Sequence, residues 1–352
     1  MQAPAPESLR SLAEVVADPE RLFVAYACVR KLQHGRTRQG KPFVDVTLAD
    51  ATRVVAAKIW DDAPEAMEAA RTLARGTVVK LLFRAELYQG TLQLGLRKLR
   101  PIAAGEVDLT GVLGDGHAPV ADVLCKALVF DIETVPAQAP GELPEGVAAA
   151  LQRFSNGDPG QADLACSLSP LLARVVSLAF ADGEAEGEPE VTVLAVPPPG
   201  ASHDPSDYPP WLRPVDEAAL LQAFWVLASQ ADVVVSYNGR NFDVPFLVAR
   251  SLIHRVAARV DLLGNPYSLR PHLDLYRVLQ PGRALGPSGL EVVCWALGIP
   301  SPKGALDGAQ VGPAYARGEI EAIARYNRGD VAATVAVYRR IRESILQHRQ
   351  DW

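Results

Sequence analysis

Residues 125–136 read CKALVFDIETVP. A continuous apolar run of this kind reads as a strand buried on both faces, the habit of sheets covered by helices. Two carboxylates, Asp131 and Glu133, stand near its end with one residue between them. Side chains alternate along a strand, so residues i and i+2 face the same side and both acids look towards one place. Nothing in the architecture of a strand requires two acids there. The stretch predicts an α/β domain with chemistry at a strand end.

Downstream, ADVVVSYNGRNFDVPFLVARSL (231–252) joins a buried strand to an amphipathic helix through a polar Asn-Gly turn, and Asp243 opens that helix. The carboxyl ends of strands are where α/β folds place ligands, and Asp243 also suits a helix N-cap. EIEAIARYNRGDVAATVAVYRRIRESILQ (319–347) has helical spacing, and its Tyr326 and Asp330, four apart, share one face. Between these segments, ARVVSLAFAD (173–182) and VTVLAVP (191–197) read as further strands of the same sheet, and DEAALLQAFWVLASQ (216–230) as a helix. Residues 137–169 and the Pro-rich 197–210 read as loops.

Asp131, Glu133, Asp243 and Asp330 thus make four acids at strand ends or on amphipathic helices, and such acids repel one another if they meet. Two divalent cations, Mg²⁺ or Mn²⁺, about 4 Å apart resolve the repulsion, activate a water and stabilise the charge of an in-line attack on a phosphodiester. His272 reads as a hydrogen-bonding residue at a strand end, because two-metal hydrolysis needs no histidine.

The N-terminal part is different in kind. LFVAYACVRKLQH (22–34), the basic turn GRTRQGK and FVDVTLAD (43–50) read as a hairpin, and TRVVAAKIW (52–60) as a third strand. DAPEAMEAARTLARG (62–76) predicts a helix with Asp62 as N-cap, Pro64 in the first turn and Gly76 as its stop. Residues 77–88 and 91–102 then read as two strands about the tight turn Gln89-Gly90, and 103–124 as a small, polar linker or docking arm. A length of 352 residues is consistent with about two domains. We place them at 20–103 and 125–352, joined by a linker at 104–124.

Charge follows this division. Residues 1–103 hold 16 Lys+Arg against 11 Asp+Glu, which leaves 19 against 30 for residues 104–352 out of totals of 35 and 41. A basic part joined to an acidic one fits nucleic-acid capture beside a carboxylate metal centre; an unevenly charged solvated surface is the competing reading. Cys28, Cys125, Cys166 and Cys294 stand far apart and indicate neither a zinc knuckle nor a disulfide framework. No apolar run reaches membrane-spanning length, the N-terminus lacks a signal-like pattern, and no phosphate-loop motif occurs, so a cytoplasmic protein without a nucleotide-driven motor is expected.

Two resemblances sharpen these readings. FDIET (130–134), SYNGRNFDVPFL (236–247) and YNRGDVAAT (326–334) resemble, in that order, the three motifs of the DEDD superfamily of 3′–5′ exonucleases. Their fold is RNase H-like (DnaQ-like), a mixed sheet flanked by helices. With HLDL (272–275), LDGAQV (306–311) and IARYNRGDV (323–331), the chain looks similar to predicted exonucleases related to the proofreading domain of family B DNA polymerases. Tyr326 four residues before Asp330, with Arg325 rather than His preceding it, resembles the DEDDy branch. The resemblance implies that Asp131 bridges two metals, that Glu133 and Asp330 help hold the one carrying the attacking water, and that Asp243 reaches the second through water. Tyr326 would orient the attacking water, and Asn238 and Phe242 would contact the terminal nucleotide, a turn residue and a core ring being their competing readings. Asp274 and Asp307 match family phrases without an assigned role.

The N-terminal order of three strands, a helix and two strands resembles an OB-fold barrel. GKPFVDVTLADAT (40–52) and VAAKIWD (55–61) look like the OB modules of some bacterial 3′–5′ exoribonucleases. An OB barrel binds single strands with basic groove residues and stacking aromatics. The candidates are Arg36, Arg38, Lys41, Phe43, Lys58, Trp60 and Tyr88, with barrel core for the rings and a solvated face for the cations as the alternatives. The expected partner is a single strand with a free 3′ end, DNA first and RNA second, with no membrane involved. A non-catalytic single-strand-binding or assembly module is the rival from another class; protein partners are not legible.

Overall fold

The computed structural model describes residues 5–265, 267–280, 286–301, 306–349 and 352. The chain divides into two compact units, Met1–Ala118 and Pro119–Trp352.

The first unit contains strands β1 (Glu7–Ser8), β2 (Asp18–Arg36), β3 (Pro42–Ala49), β4 (Val54–Ile59), β5 (Val78–Tyr88) and β6 (Thr91–Pro101). They pair in the order β1-β2-β3-β4-β6-β5, and β5 pairs back onto β2, so five strands close into a barrel. β4 and β6 run parallel, whereas β2–β3, β3–β4, β5–β6 and β2–β5 are antiparallel. With α1 (Pro64–Ala70) between β4 and β5, this is an OB-fold barrel. Alternation puts Val44, Val46 and Leu48 of β3 inside with Phe23, Ile59, Leu81 and Phe83.

The α1 helix is shorter than its composition suggests. Asp62 does not cap it: the N-cap position is Ala63, without a side-chain bond, and Asp62 instead pairs with Arg97 at 2.6 Å. The helix ends before Arg71, and Gly76, at φ +83°, donates its N–H to the Val29 carbonyl, serving strand entry rather than helix termination. Helix α2 (Leu109–Leu113) packs Val112 and Leu113 against Cys28 and Val78, so this part of 104–124 belongs to the first unit.

The second unit begins its sheet with β7 (Ala127–Pro136). It continues with helices α3 (Glu145–Phe154) and α4 (Pro159–Leu168), then β8 (Ala173–Asp182), β9 (Thr192–Ala195), β10 (Leu212–Pro214), α5 (Glu217–Gln230) and β11 (Val233–Ser236). After α6 (Asp243–His254) come β12 (His272–Asp274), α7 (Leu275–Leu279), α8 (Leu290–Leu297), α9 (Val311–Ala316) and α10 (Ile320–Ser344). The strand order is β10-β9-β8-β7-β11-β12. β8 is antiparallel to its neighbours β7 and β9, and β11 and β12 run parallel to β7. This mixed sheet with one reversed strand is RNase H-like.

Each face of the sheet carries its own core. Leu128, Phe130 and Ile132 of β7 pack with α5 and α6, while Ala127 and Val129 pack with the face that includes α9 and α10. Residues 137–169, expected as loop, hold α3 and α4. Their prolines and glycines hide the helical period, but Asp158 caps α4 by accepting from the Gly160 N–H at 2.9 Å, with Pro159 at the first turn. Residues 197–210 hold a single 3₁₀ turn at Pro205–Asp207. Among the described residues no helix is long and apolar enough to cross a membrane.

Candidate active site

The site begins where β7 outruns its neighbour. β11 pairs with β7 through Val235↔Val129 and ends at Ser236, whereas β7 runs on to Pro136 beside β8 alone. Past that point the alternation that buries Ala127 and Val129 on the α10 side brings Asp131 and then Glu133 to the same face. The acids therefore occupy the opening between two parallel strands.

Helix α10 closes the opening. Its apolar stripe of Ile320, Ile323, Ala324, Val331, Val335, Tyr338 and Ile341 docks on the sheet, and Asp330 comes down beside β7. Ligand oxygens of Asp131, Glu133 and Asp330 lie within 4.8 Å of one another. Tyr326, one turn earlier and half-buried, is hydrogen-bonded to Asp330.

One member of this cluster was not singled out from sequence. Asn327 is fully buried in the apolar stripe and donates Nδ2 to Asp131 Oδ2 at 2.9 Å, while its Oδ1 has no partner among the described residues. Its amide also bonds Glu133. The available signal was a buried-position amide on an otherwise apolar helix face, which costs free energy unless it is satisfied.

Asp243 arrives from the opposite layer. It is the first residue of α6 rather than its N-cap, which is Phe242, and its Oδ1 accepts from the Ile132 N–H at 3.2 Å. That N–H belongs to the part of β7 beyond the β11 pairing, so Asp243 satisfies a donor the sheet leaves open. The turn before α6 is tightly built: a Cβ on Gly239 would lie 2.3 Å from Ser236 Oγ and 3.3 Å from Asp243 Oδ2. Asn238 adopts φ +62°, and its Oδ1 accepts from Asn241 Nδ2 at 2.7 Å.

Asp274 and His272 hold this turn from β12. The Asp274 carboxylate accepts from the backbone N–H groups of Asn238 (2.8 Å), Arg240 (3.1 Å) and Tyr276 (3.1 Å), tying the turn to the start of α7. His272 is buried, its Nε2 2.7 Å from Ser236 Oγ and its Nδ1 3.3 Å from the Leu262 carbonyl. Burial lowers its pKa to about 4, so it is neutral and structural. Asp307 forms a capping box with Gln310 ahead of α9 and lies outside the cluster.

The carboxylates are electrostatically frustrated. Burial, then Asp243, Glu133 and Asp330, push Asp131 well above the ordinary carboxylate range. Burial and then Asp330 and Asp243 push Glu133 up to about 8, and burial pushes Asp243 up to about 7. Burial and the neighbouring acids also raise the Tyr326 phenol, which keeps its proton as a donor. Bringing cations among these oxygens removes the repulsion, and the all-oxygen donor set suits hard divalent ions. The residues present fit such ions.

A cleft of about 860 Å³ opens beside the cluster, lined by Glu133 and Phe242 together with Leu164, Leu168, Pro313 and Ala316. Its α4 wall is fastened next to the acids, because Thr134 Oγ1 donates to the Ser167 carbonyl at 3.0 Å. Phe242 is half-buried against Phe246, with ring centroids 5.0 Å apart.

In the barrel, Lys58 Nζ lies 4.5 Å from the Phe43 ring centroid and 4.8 Å from that of Trp60, and 3.0 Å from Asp45. The two rings stand 6.0 Å apart and outside the barrel core, with Trp60 39% exposed. Lys41 pairs with Asp61 at 3.1 Å, Arg36 donates to the Gly40 carbonyl at 2.9 Å, and Arg38 is exposed. Tyr88 is not with them: Gly95 is the β6 residue beside Lys58, whereas Tyr88 pairs with Thr91, four positions earlier in β6, next to the turn of the β5–β6 hairpin.

A family model described as a predicted 3′–5′ exonuclease related to the exonuclease domain of PolB matches residues 171–347, half of the chain. The chain belongs to this family. Of the clustered acids, Asp131 and Glu133 lie ahead of the stretch matched to the PolB-related exonuclease family, and the fold brings them to Asp330 within it.

Curated relatives include the 3′–5′ exoribonuclease YhaM of Bacillus subtilis, 35% identical over 81 residues, which are 23% of this chain and 25% of the relative. YhaM of Bacillus pumilus is 33% identical over 108 residues, 30% of this chain and 33% of the relative. The chain thus spans about a quarter to a third of the relatives' length. Among solved structures, the family B DNA polymerase of Pyrobaculum calidifontis matches at TM-score 0.42 and 14% identity, over 90% of this chain and 46% of the polymerase. The second OB-fold domain of replication protein A from Methanococcus maripaludis matches at TM-score 0.22 and 14% identity, over 29% of this chain and 99% of the domain.

Proposed function

We propose that the protein is a metal-dependent 3′–5′ exonuclease that removes nucleotides from the 3′ end of single-stranded DNA, its OB-fold barrel holding the strand. The observation that carries this reading is the convergence of Asp131, Glu133 and Asp330 within 4.8 Å, with Glu133 also lining the adjoining, largely apolar cleft. Asp131, Glu133, Asp330 and Asp243 are the residues that would hold two Mg²⁺ or Mn²⁺ ions. Bound there, such ions supply charge for the developing phosphorane and lower the pKa of the attacking water.

The chain's own groups do the rest. Asn327 holds Oδ2 of Asp131, and Oδ1 would be the oxygen offered to a cation. Tyr326, a protonated phenol bonded to Asp330, would orient the attacking water. Phe242 and the α4 and α9 walls receive the terminal sugar and base without reading sequence, since stacking and apolar contact tolerate every base. Lys58, Phe43 and Trp60 offer the barrel's strand-binding platform: one cation between two half-exposed rings. RNA is the second reading, favoured by the similarity to relatives named exoribonucleases.

The test uses 5′-labelled single-stranded DNA and the matching RNA, with Mg²⁺ or Mn²⁺ and with chelator. A metal-dependent ladder shortening from the 3′ end is expected, slowed about a thousandfold or more in Asp131→Ala/Glu133→Ala. The faster substrate assigns DNA or RNA. Intact strands under every condition, with binding retained, overturn the catalytic reading in favour of a single-strand-binding module.

A further inference from the structure

A second cavity, of about 410 Å³, lies along the outer edge of β12, the last strand of the exonuclease sheet. His272, Leu273 and Asp274 line it together with three arginines, Arg240, Arg277 and Arg349. Such a concentration of guanidinium groups runs against the acidic balance of residues 104–352, where 30 Asp+Glu face 19 Lys+Arg by subtraction from the totals. At its rim stands Tyr267, 85% exposed.

The arginines are arranged as an anion site is. Arg240 donates Nη1 to the Gly264 carbonyl and Nη2 to the Asn265 carbonyl, both at 3.1 Å, so its fork is fixed in place by neutral oxygens. Arg277 is exposed and has one long bond, 3.5 Å, to Asn241 Oδ1. Among the described residues neither forms an ion pair with a carboxylate. Asp274 lies close, but its oxygens accept three backbone N–H groups. After burial, the nearby Arg277 is the largest influence on Arg240 and acts against the opposing pull of Asp274 and Asp261, so the two guanidinium groups stand close enough to repel one another. An anion between two guanidinium groups relieves that repulsion, and the planar forks suit the oxygens of a phosphate.

We propose that this pocket binds a backbone phosphate of the single strand at a position away from the scissile bond, with Tyr267 against the neighbouring base or sugar. Arg240 belongs to the same turn as Asp243, three residues earlier, so strand binding in the pocket acts on the turn that presents an active-site acid. The identity of the ligand as a strand rests on the exonuclease reading; the test separates the two.

The 352-residue chain is titrated, with chelator present, against a fluorescent single-stranded oligonucleotide over a series of KCl concentrations. Each phosphate contact contributes a slope of about 0.7 to the fall of log affinity with log salt for single strands. Arg277→Glu is expected to weaken binding about tenfold at moderate salt and to make the slope shallower by about 0.7, and Arg277→Lys to keep the slope. Arg240→Gln is expected to do the same as Arg277→Glu; should it perturb the turn, the exposed Arg277 still decides. An affinity and slope unchanged in Arg277→Glu overturn the proposal. So does an unchanged slope accompanied by an inorganic-phosphate-induced rise in Tm that Arg277→Glu abolishes, because the pocket then takes free phosphate rather than the strand. Cleavage is scored separately with Mn²⁺, so failure of the exonuclease reading leaves the binding slope interpretable.

Discussion

Single residues at this site are in tension with their own fold. Glu133, pushed up to about 8 from an ordinary 4.5, binds a proton in the folded metal-free chain that the unfolded chain releases. Its folded pKa is the higher one, so stability is complete below about pH 4.5 and is lost as pH rises towards 8. Without metal, Tm is therefore expected to fall by several degrees across that window, and Glu133→Gln to fall less steeply. Asp243, shifted the same way to about 7, keeps some slope in the variant, and His272, shifted the opposite way to about 4, contributes equally to both proteins. Adding Mn²⁺ is expected to raise Tm most at the alkaline end. Differential scanning calorimetry of both proteins checks this; parallel profiles would show that Glu133 carries no such strain. The four acids and Tyr326 were legible one by one in the sequence, as acids at strand ends and a Tyr–Asp pair at helical spacing. Asn327 was missed although its spacing from Ile323, Ala324 and Val331 puts it on the apolar face of the helix, because its polar neighbours in the YNRGD phrase mask that period.

Secondary elements decide what stands around those residues. The strand β7 was legible because its run of apolar residues is unbroken, and α10 because its apolar stripe keeps the helical period over 25 residues. The α3–α4 pair was not, because Pro159, Gly146 and Gly160 sit in their first turns, where helices tolerate them but a pattern search reads a loop. Helix α4 supplies the wall of the cleft through Leu164 and Leu168, which are 58% and 48% exposed without substrate. Exposed leucines facing a cleft are suited to a base or sugar. Leu164→Glu/Leu168→Glu is expected to raise KM for single strands about tenfold, with kcat changed less and Tm within a degree or two of the parent, because the positions are already solvated. Steady-state kinetics on a short oligonucleotide measures this, and an unchanged KM removes α4 from the substrate path.

At the scale of the whole molecule, the proposed function gives the basic barrel the task of holding a strand and the acidic unit the task of cutting it. Lys58→Ala/Trp60→Ala in the barrel is expected to weaken binding of a long single strand about tenfold or more while a dinucleotide is cut at nearly the parental kcat/KM. Comparing kcat/KM for the two lengths tests it, and equal losses on both would place the barrel outside strand capture. The sequence by itself determined the two units' fold classes, the order of strands β2 to β9 and β11 with helices α1, α5, α6 and α10, and the candidate acids. Those features follow from neighbours along the chain: side-chain alternation, helical period and turn residues are local. Only the tertiary structure decided that Asn327 bonds Asp131 from 196 positions away, that Asp243 takes the N–H left open by the end of β11, and that Tyr88 stands apart from Lys58 and Trp60. It also decided that Arg240, Arg277 and Arg349 line one cavity. These are distances between residues remote in sequence, set by how the sheet ends and where the helices dock, and no local period encodes them.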